Sequence, residues 1–285
     1  MSELSVVTRS RLVADLRTLG VQAGDTVMLH ASVRAIGWVV GGPDTVIQAL
    51  LDVLTPAGTL TMLVGWEDGT YEMSEWPADK QQAYLDESPA FDPARSRAYR
   101  KWSILTEYLR TWPGAARSAH PDCSFTAVGR LAGWLTADHP LQYGHGPRSP
   151  LARLCQARGR VLLLGVGFGN LTLLHYAEHM AAVPGKQVVR YRAPLLVDGQ
   201  RQWVELEEFD TCRLIGQWQG DGYFDLIPRE ALSCGIGRRG RVGAALAYLF
   251  PAEELHRFAV HWLEEHLGRE PRDSRQSPEG GRAPA

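Results

Sequence analysis

The sequence predicts an α/β layered sandwich, and three observations carry that prediction. Short aliphatic runs alternate with amphipathic helical segments along most of the chain, as strands and covering helices do. One run, Val161 to Leu164, is unbroken Val-Leu-Leu-Leu, the composition of a strand covered on both faces. With 285 residues and 45% apolar content, the chain can bury a full core.

The elements follow in order. Ser10 to Leu19 places Leu12, Val13, Leu16 and Leu19 on one helical face and is closed by Gly20. A strand is predicted at Thr26 to His30. The stretch GGPDTVIQALLDVL sets Pro43 just inside a helix start, and Pro56 to Gly58 end that helix before a strand at Thr59 to Val64. Ser149 and Pro150 cap a helix, SPLARLCQARG, that leads to the Val161 strand. Gly165, Gly167 and Gly169 then allow a sharp turn into a helix from Leu171. Val188 to Val197 and Gln202 to Glu207 flank Asp198-Gly199, a hairpin signal that makes the sheet mixed. Arg241 to Phe250 is one further strand, and Pro251 to Leu267 a closing amphipathic helix. A single domain over 1–267 is expected, with an insertion at about 67–101 and a polar, Pro- and Gly-rich tail at 268–285 expected to be disordered.

Composition excludes several function classes. A formal net charge of −2 gives no basis for a nucleic-acid or acidic-membrane partner. The first residues lack a continuous apolar region and no later run approaches a membrane span, so a cytoplasmic protein is expected. The four cysteines, Cys123, Cys155, Cys212 and Cys234, lie far apart without a CxxC pair and are expected to be reduced thiols.

Chemistry is expected where strand Val161–Leu164 meets the next helix, since open α/β sheets bind ligands at the carboxyl ends of their strands. His175 falls about one turn into that helix, with Glu178 and His179 nearby. His30, Ser32 and Arg34 end the first strand at an equivalent place. Arg117, Ser118, His120 and Asp122 crowd into a turn, RSAHPD. His175, Glu178 and His179 also spell HxxEH, whose histidines share a helix face and suit zinc, but the pattern identifies no third protein ligand. GIGRRG, from Gly235 to Gly240, matches a dinucleotide fingerprint in letters only, because it follows a helix and precedes a strand. A histidine base works best when a carboxylate holds its other ring nitrogen, and Glu208 is the first candidate partner for His175, with Glu205, Glu207 and Asp210 competing. From Glu67 to Asp92, eight acids (Glu67, Asp68, Glu72, Glu75, Asp79, Asp86, Glu87, Asp92) face one Lys80, interleaved with Trp66, Tyr71, Trp76 and Tyr84. Such a segment suits a polycation, or a solvated loop with aromatic anchors.

With these residues in view, the chain resembles the aminoglycoside 3-N-acetyltransferases, the antibiotic acetyltransferase family distinct from the GNAT enzymes. The likeness runs from about Arg9 to Leu267 and is carried by GDTVMLHASVRAIG, GGPDTVIQALLDVLTPAGTL, FDPARS, RSAHPD, GPRSPLARL, VLLLGVG, TLLHYAEH and GRVGAALAYLF. The resemblance implies a three-layer α/β/α sandwich around a mixed, largely parallel sheet. It implies acetyl-coenzyme A as cosubstrate without a metal, and acetylation of the 3-amine of the deoxystreptamine ring of an aminoglycoside, conferring resistance. By position His175 resembles the general base and Glu208 its acidic partner. His30, Ser32, Arg34, Ser118 and His120 would line the coenzyme side. Trp66, Glu67 and Asp68, with Glu178 and Asp210, would meet the cationic acceptor. A monomer or homodimer is expected. The alternatives are the same transfer to a different amine, and a zinc hydrolase built on residues 175–179.

Overall fold

Alternation along the central strands sets the layers. In a computed structural model, which describes residues 6–210 and 222–268, β1 is Val6–Val7, α1 Arg9–Leu19, β2 Thr26–Ala31, α2 Val33–Ile36, β3 Trp38–Val39, α3 Gly42–Leu54 and β4 Thr59–Leu63. There follow α4 Ala78–Glu87, α5 Ile104–Arg110, β5 Ala116–Arg117, β6 Phe125–Gly129, α6 Ala132–Thr136, α7 Pro150–Gln156, β7 Arg160–Leu164 and α8 Leu173–Met180. The remaining elements are β8 Val188–Val197, β9 Gln200–Phe209, α9 Tyr223–Ser233, β10 Arg238–Val242, β11 Ala245–Pro251 and α10 Ala252–Leu267. β2 turns Val27, Leu29 and Ala31 into one core, and β7 adds Leu162 and Leu164; α1, α3 and α5 cover that face. Met28, Val161 and Leu163 point the other way, under α7, α8, α9 and α10. The period of two therefore builds two cores on one sheet, and the three layers follow. By the same alternation His30 lies on the Met28 face, toward α8.

The sheet runs β10-β11-β7-β2-β4-β6-β5. Only β2 with β4 and β2 with β7 are parallel, and the pairings outside them are antiparallel. The parallel share is thus smaller than the largely parallel sheet expected, because hairpin-type neighbours close both flanks. The expected strand Arg241 to Phe250 is two strands, β10 and β11, separated by Gly243 at φ 60°. A Cβ on that glycine would lie 2.7 Å from the Ile36 carbonyl oxygen, which is why the turn takes glycine. The Asp198-Gly199 hairpin forms as expected, both turn residues having positive φ, at 50° and 76°. It is longer than predicted and pairs with itself, outside the central sheet.

The hairpin and the acidic insertion brace each other. Trp66, Phe91, Ala193, Leu195 and Leu206 form a small separate core. Arg201 donates to the carbonyls of Asp86 and Ser88, and the Thr70 hydroxyl donates to the Arg192 carbonyl at 2.8 Å. The insertion is thereby held over the carboxyl end of the sheet. Cys123 and Cys155 are buried free thiols and Cys234 an exposed one; Cys212 and the expected disordered tail beyond Gly268 lie outside the described residues. Among the described residues, no helix is long and apolar enough to cross a membrane.

Candidate active site

At the carboxyl ends of the parallel strands β2 and β7, a cleft of about 460 Å3 opens between the sheet end, α8 and the insertion. The β7–α8 turn positions His175 against it. Gly165 has φ 69°, and a Cβ there would sit 2.5 Å from that of Ala35, so this turn admits only glycine. Gly167 and Gly169 carry no such demand: their Cβ positions are open and their φ is not positive. The turn leads to Thr172 at the head of α8, and one turn later His175 reaches the cleft.

His175 is held from behind. Its Nδ1 donates to Glu178 Oε2 at 2.7 Å, an i,i+3 contact within one helix face. Glu178 is 3% exposed, and its second oxygen accepts from the Tyr223 hydroxyl of α9. Both carboxylate oxygens are therefore occupied, the ring tautomer is fixed, and Nε2 is the nitrogen left to accept a proton. Burial pulls the His175 pKa down, but the Glu178 charge and hydrogen bond, with Glu208 behind them, outweigh it and leave the pKa raised.

The expected His175–Glu208 contact is not formed. Glu208 lies at the end of β9 and meets the next histidine, with Oε1 2.5 Å from His179 Nε2. Helix geometry explains the exchange: a carboxylate three positions on shares the face of His175, while β9 approaches α8 one turn further on. His179 Nδ1 donates to the His175 carbonyl at 2.7 Å, so both nitrogens of His179 are engaged. This removes it as a zinc ligand and leaves the HxxEH hydrolase alternative without its second histidine. Glu208 Oε1 also accepts from Phe209 N–H at 2.9 Å, whereas Oε2 is buried and unpartnered. Of the competing acids, Glu207 pairs with Arg190 at 2.6 Å, and buried Asp210 donates its backbone N–H to the Gln187 carbonyl.

The other predicted residues divide clearly. His30 lines the cleft, and its Nε2 is buried without a partner. Burial first, then the nearby His175, push its pKa down to about 4, so the ring is neutral. Trp66 and Glu67 also line the cleft, while Asp68 and Asp210 do not. Glu67 forms an ion pair with Arg100 at 2.6 Å and accepts from that residue's backbone N–H. Ser32 precedes α2 and Arg34 is exposed on it, and neither lines the cleft. Ser118 and His120, expected on the coenzyme side, are buried and do not line the cleft. Ser118 Oγ accepts from Phe125 N–H and is bonded to His139 Nδ1 at 2.9 Å. His120 Nδ1 accepts from the backbone N–H groups of Asp122 and Cys123. Glu178, expected against the acceptor, is sealed behind His175 for the reason given above.

Several cleft residues had no role in the sequence reading. Asp122 belongs to the quoted RSAHPD motif, is held by the Tyr191 side chain and Thr70 backbone, and keeps Oδ2 buried and unpartnered. Burial raises its pKa to about 6. A Cβ on Gly69 would lie 2.8 Å from its Oδ1, so the insertion's glycine lets the loop close over this carboxyl. Cys123 and His145 join it on the same wall, and Tyr71, Trp76, Tyr99 and Trp102 supply aromatic faces. Tyr223 carried no local signal at all.

The sequence model described as aminoglycoside 3-N-acetyltransferase matches residues 28–264. The chain belongs to that family. It is 48% identical over 269 residues to aminoglycoside N(3)-acetyltransferase III of Pseudomonas aeruginosa, covering 94% of this chain and 98% of the relative. It is 50% identical over 272 residues to aminoglycoside N(3)-acetyltransferase VII of Streptomyces paromomycinus, covering 93% and 94%. Among solved structures, AAC-IIIb in binary complex with CoASH superposes with a TM-score of 0.86 at 43% identity, over 94% of this chain and 100% of that one. AAC-VIa bound to sisomicin gives 0.86 at 37% identity, over 93% and 100%. The sandwich is thus shared with these solved structures.

Proposed function

We propose that this chain transfers the acetyl group of acetyl-coenzyme A to the 3-amine of a deoxystreptamine aminoglycoside, by direct attack with His175 as general base. The carrying observation is the buried Tyr223–Glu178–His175 chain, which leaves Nε2 as the proton acceptor beside the cleft. Support for donor and acceptor comes from the relatives: AAC-IIIb was solved with CoASH and AAC-VIa with sisomicin.

The amine nitrogen attacks the thioester carbonyl, forming the C–N bond. His175 Nε2 takes a proton from that nitrogen, and the C–S bond breaks as the tetrahedral intermediate collapses. The proton passes to the departing thiolate, which restores the neutral ring and releases coenzyme A. The developing oxyanion needs a donor. Ser103 and Thr106 line the cleft but donate their hydroxyls to the carbonyls of Ala31 and Ser103. Thr172, at the head of α8, is the hydroxyl we assign to the oxyanion. His30, Ser32 and Arg34 mark the coenzyme side.

The acceptor's ammonium groups would meet Asp122 Oδ2 and Glu208 Oε2, since each is a buried oxygen without a protein partner facing the cleft. Glu67 takes the corresponding place at the insertion in preference to Asp68. Trp66, Trp76 and Trp102 give faces for the sugar rings and cations. Resistance is the expected consequence, since an amide cannot carry the ammonium charge.

Thiol release from acetyl-coenzyme A, followed with sisomicin, kanamycin and simple alkylamines as acceptors, tests this reading. Turnover is expected with the aminoglycosides and not with the simple amines. Absence of thiol release with any aminoglycoside would overturn the reading.

A further inference from the structure

We propose that Cys123, His145 and Glu208 form a zinc-type divalent cation site in the wall of the cleft. One donor atom from each lies within 4.8 Å of the other two. Two of the donors have no partner in the protein: His145 Nε2 and Glu208 Oε2 are both buried with no hydrogen-bond partner. All three residues face the same cavity.

The chain brings them together through deliberate close approach. His145 sits between Gly144 and Gly146, and a Cβ on Gly144 would come 2.4 Å from Cys123 Sγ. Only glycine lets this loop lie directly against the thiol, which delivers the imidazole to it. Glu208 arrives from β9 with Oε1 fixed by His179 Nε2 and Phe209 N–H, leaving Oε2 aimed forward. Such outer partners orient a metal-binding carboxylate.

The donor set selects the ion. Thiolate, imidazole and carboxylate together are the ligands of a borderline-soft cation such as Zn2+, and three protein ligands leave an open fourth position. That position opens into the cleft. Ligand atoms around tetrahedral zinc stand about 3.5 Å apart, so donor atoms within 4.8 Å of one another must draw together by up to about 1.3 Å, a rotamer-scale movement. The thiol proton leaves as the ion binds, and the charges of thiolate and carboxylate then balance the cation. An ammonium group is served by carboxylates alone, so this mixed set is not accounted for by the acceptor. Because Glu208 Oε2 is also assigned to the acceptor, ion and acceptor would exclude each other; that consequence rests on the proposed function, but the site itself does not.

Titration of the full-length protein with Co2+, in the absence of coenzyme and acceptor, tests the site. One equivalent is expected to produce thiolate-to-cobalt absorption in the near ultraviolet, with release of a proton, and Zn2+ is expected to displace it. Cys123→Ser should abolish the thiolate band, and Cys234→Ser should leave it. His145→Gln should weaken cobalt binding more than about tenfold, the loss that removing even an outer partner causes. Far-ultraviolet circular dichroism checks that each variant is folded. No thiolate band at stoichiometric cobalt in the unmodified protein, or a band that survives Cys123→Ser, would overturn the proposal. The first of these needs no variant, so a misfolded Cys123→Ser protein would not protect the proposal.

Discussion

The two walls of the cleft use the same residue types in opposite ways. On the α8 wall, Glu178 and Glu208 are buried, and each holds one histidine in one geometry. On the insertion wall, acids are numerous, but they lie at the surface or pair with arginines: Glu67 with Arg100, whose side chain is 81% exposed. Lys80 packs over Trp76 at 3.5 Å from the ring centre instead of meeting an acid. Charge count therefore misleads about where carboxylates matter. A buried carboxylate with defined partners fixes orientation and protonation, whereas an exposed ion pair contributes about 0–1 kcal/mol and is screened by salt. Asp122 is the instructive intermediate, since it is buried like the first group but points an unpartnered oxygen into the cleft like a receptor.

The contrast can be broken by substitution, beginning with the largest expected effect. His175→Ala should lower thiol release by roughly a hundred- to ten-thousandfold, the usual contribution of a positioned base, with little change in acceptor KM. Normal turnover in that variant would remove the base from the α8 wall. Tyr223→Phe should lower kcat by about fivefold to tenfold, through loss of one charge-assisted hydrogen bond to Glu178, again at unchanged KM. A rise in KM alone would mean that Tyr223 acts on binding. Asp122→Asn should do the reverse, raising acceptor KM about tenfold with kcat nearly preserved. Glu67→Gln should raise KM less than about fivefold, and 0.5 M salt should erase most of that difference. A larger effect at Glu67 than at Asp122 would invert the ranking of the two walls.

Much of the frame was legible because local signals agreed with one another. Ser149-Pro150 marked a helix start, Asp198-Gly199 a hairpin, and the Val161–Leu164 run a covered strand, and each element lies where those residues put it. The second flank was harder. Arg241 to Phe250 is apolar enough for one strand, and the turn at Gly243 is set by its packing against Ile36, a contact between segments distant in the chain. His175 was legible from its position one turn into a helix at a strand's carboxyl end. Its partner was not, although Glu178 stood three positions away, because the search for a carboxylate partner settled on the hairpin's Glu208 and the resemblance pointed there too. Ser118 and His120 looked functional as turn residues, yet their hydrogen bonds go to backbone and to a neighbouring buried ring. Whether a polar turn residue faces a cleft or braces its back depends on the side chain's direction, which residue type does not specify. Tyr223 and His145 reach the site only through tertiary contacts.

Glu178 or Glu208 must set the protonation of His175, the proposed base. The direct measurement is kcat/KM against pH for the unmodified protein, Glu178→Gln and Glu208→Gln, with one aminoglycoside acceptor. The base must be neutral to accept a proton, and its pKa is raised above the ordinary histidine value chiefly by Glu178. Activity in the unmodified protein should therefore fall as pH drops through that raised value. Loss of the Glu178 charge should move the acid limb to lower pH, and by more than loss of Glu208 does; the acceptor amine titrates identically in all three. An acid limb that stays in place in Glu178→Gln but shifts in Glu208→Gln would contradict the assignment and return Glu208 to the role of partner.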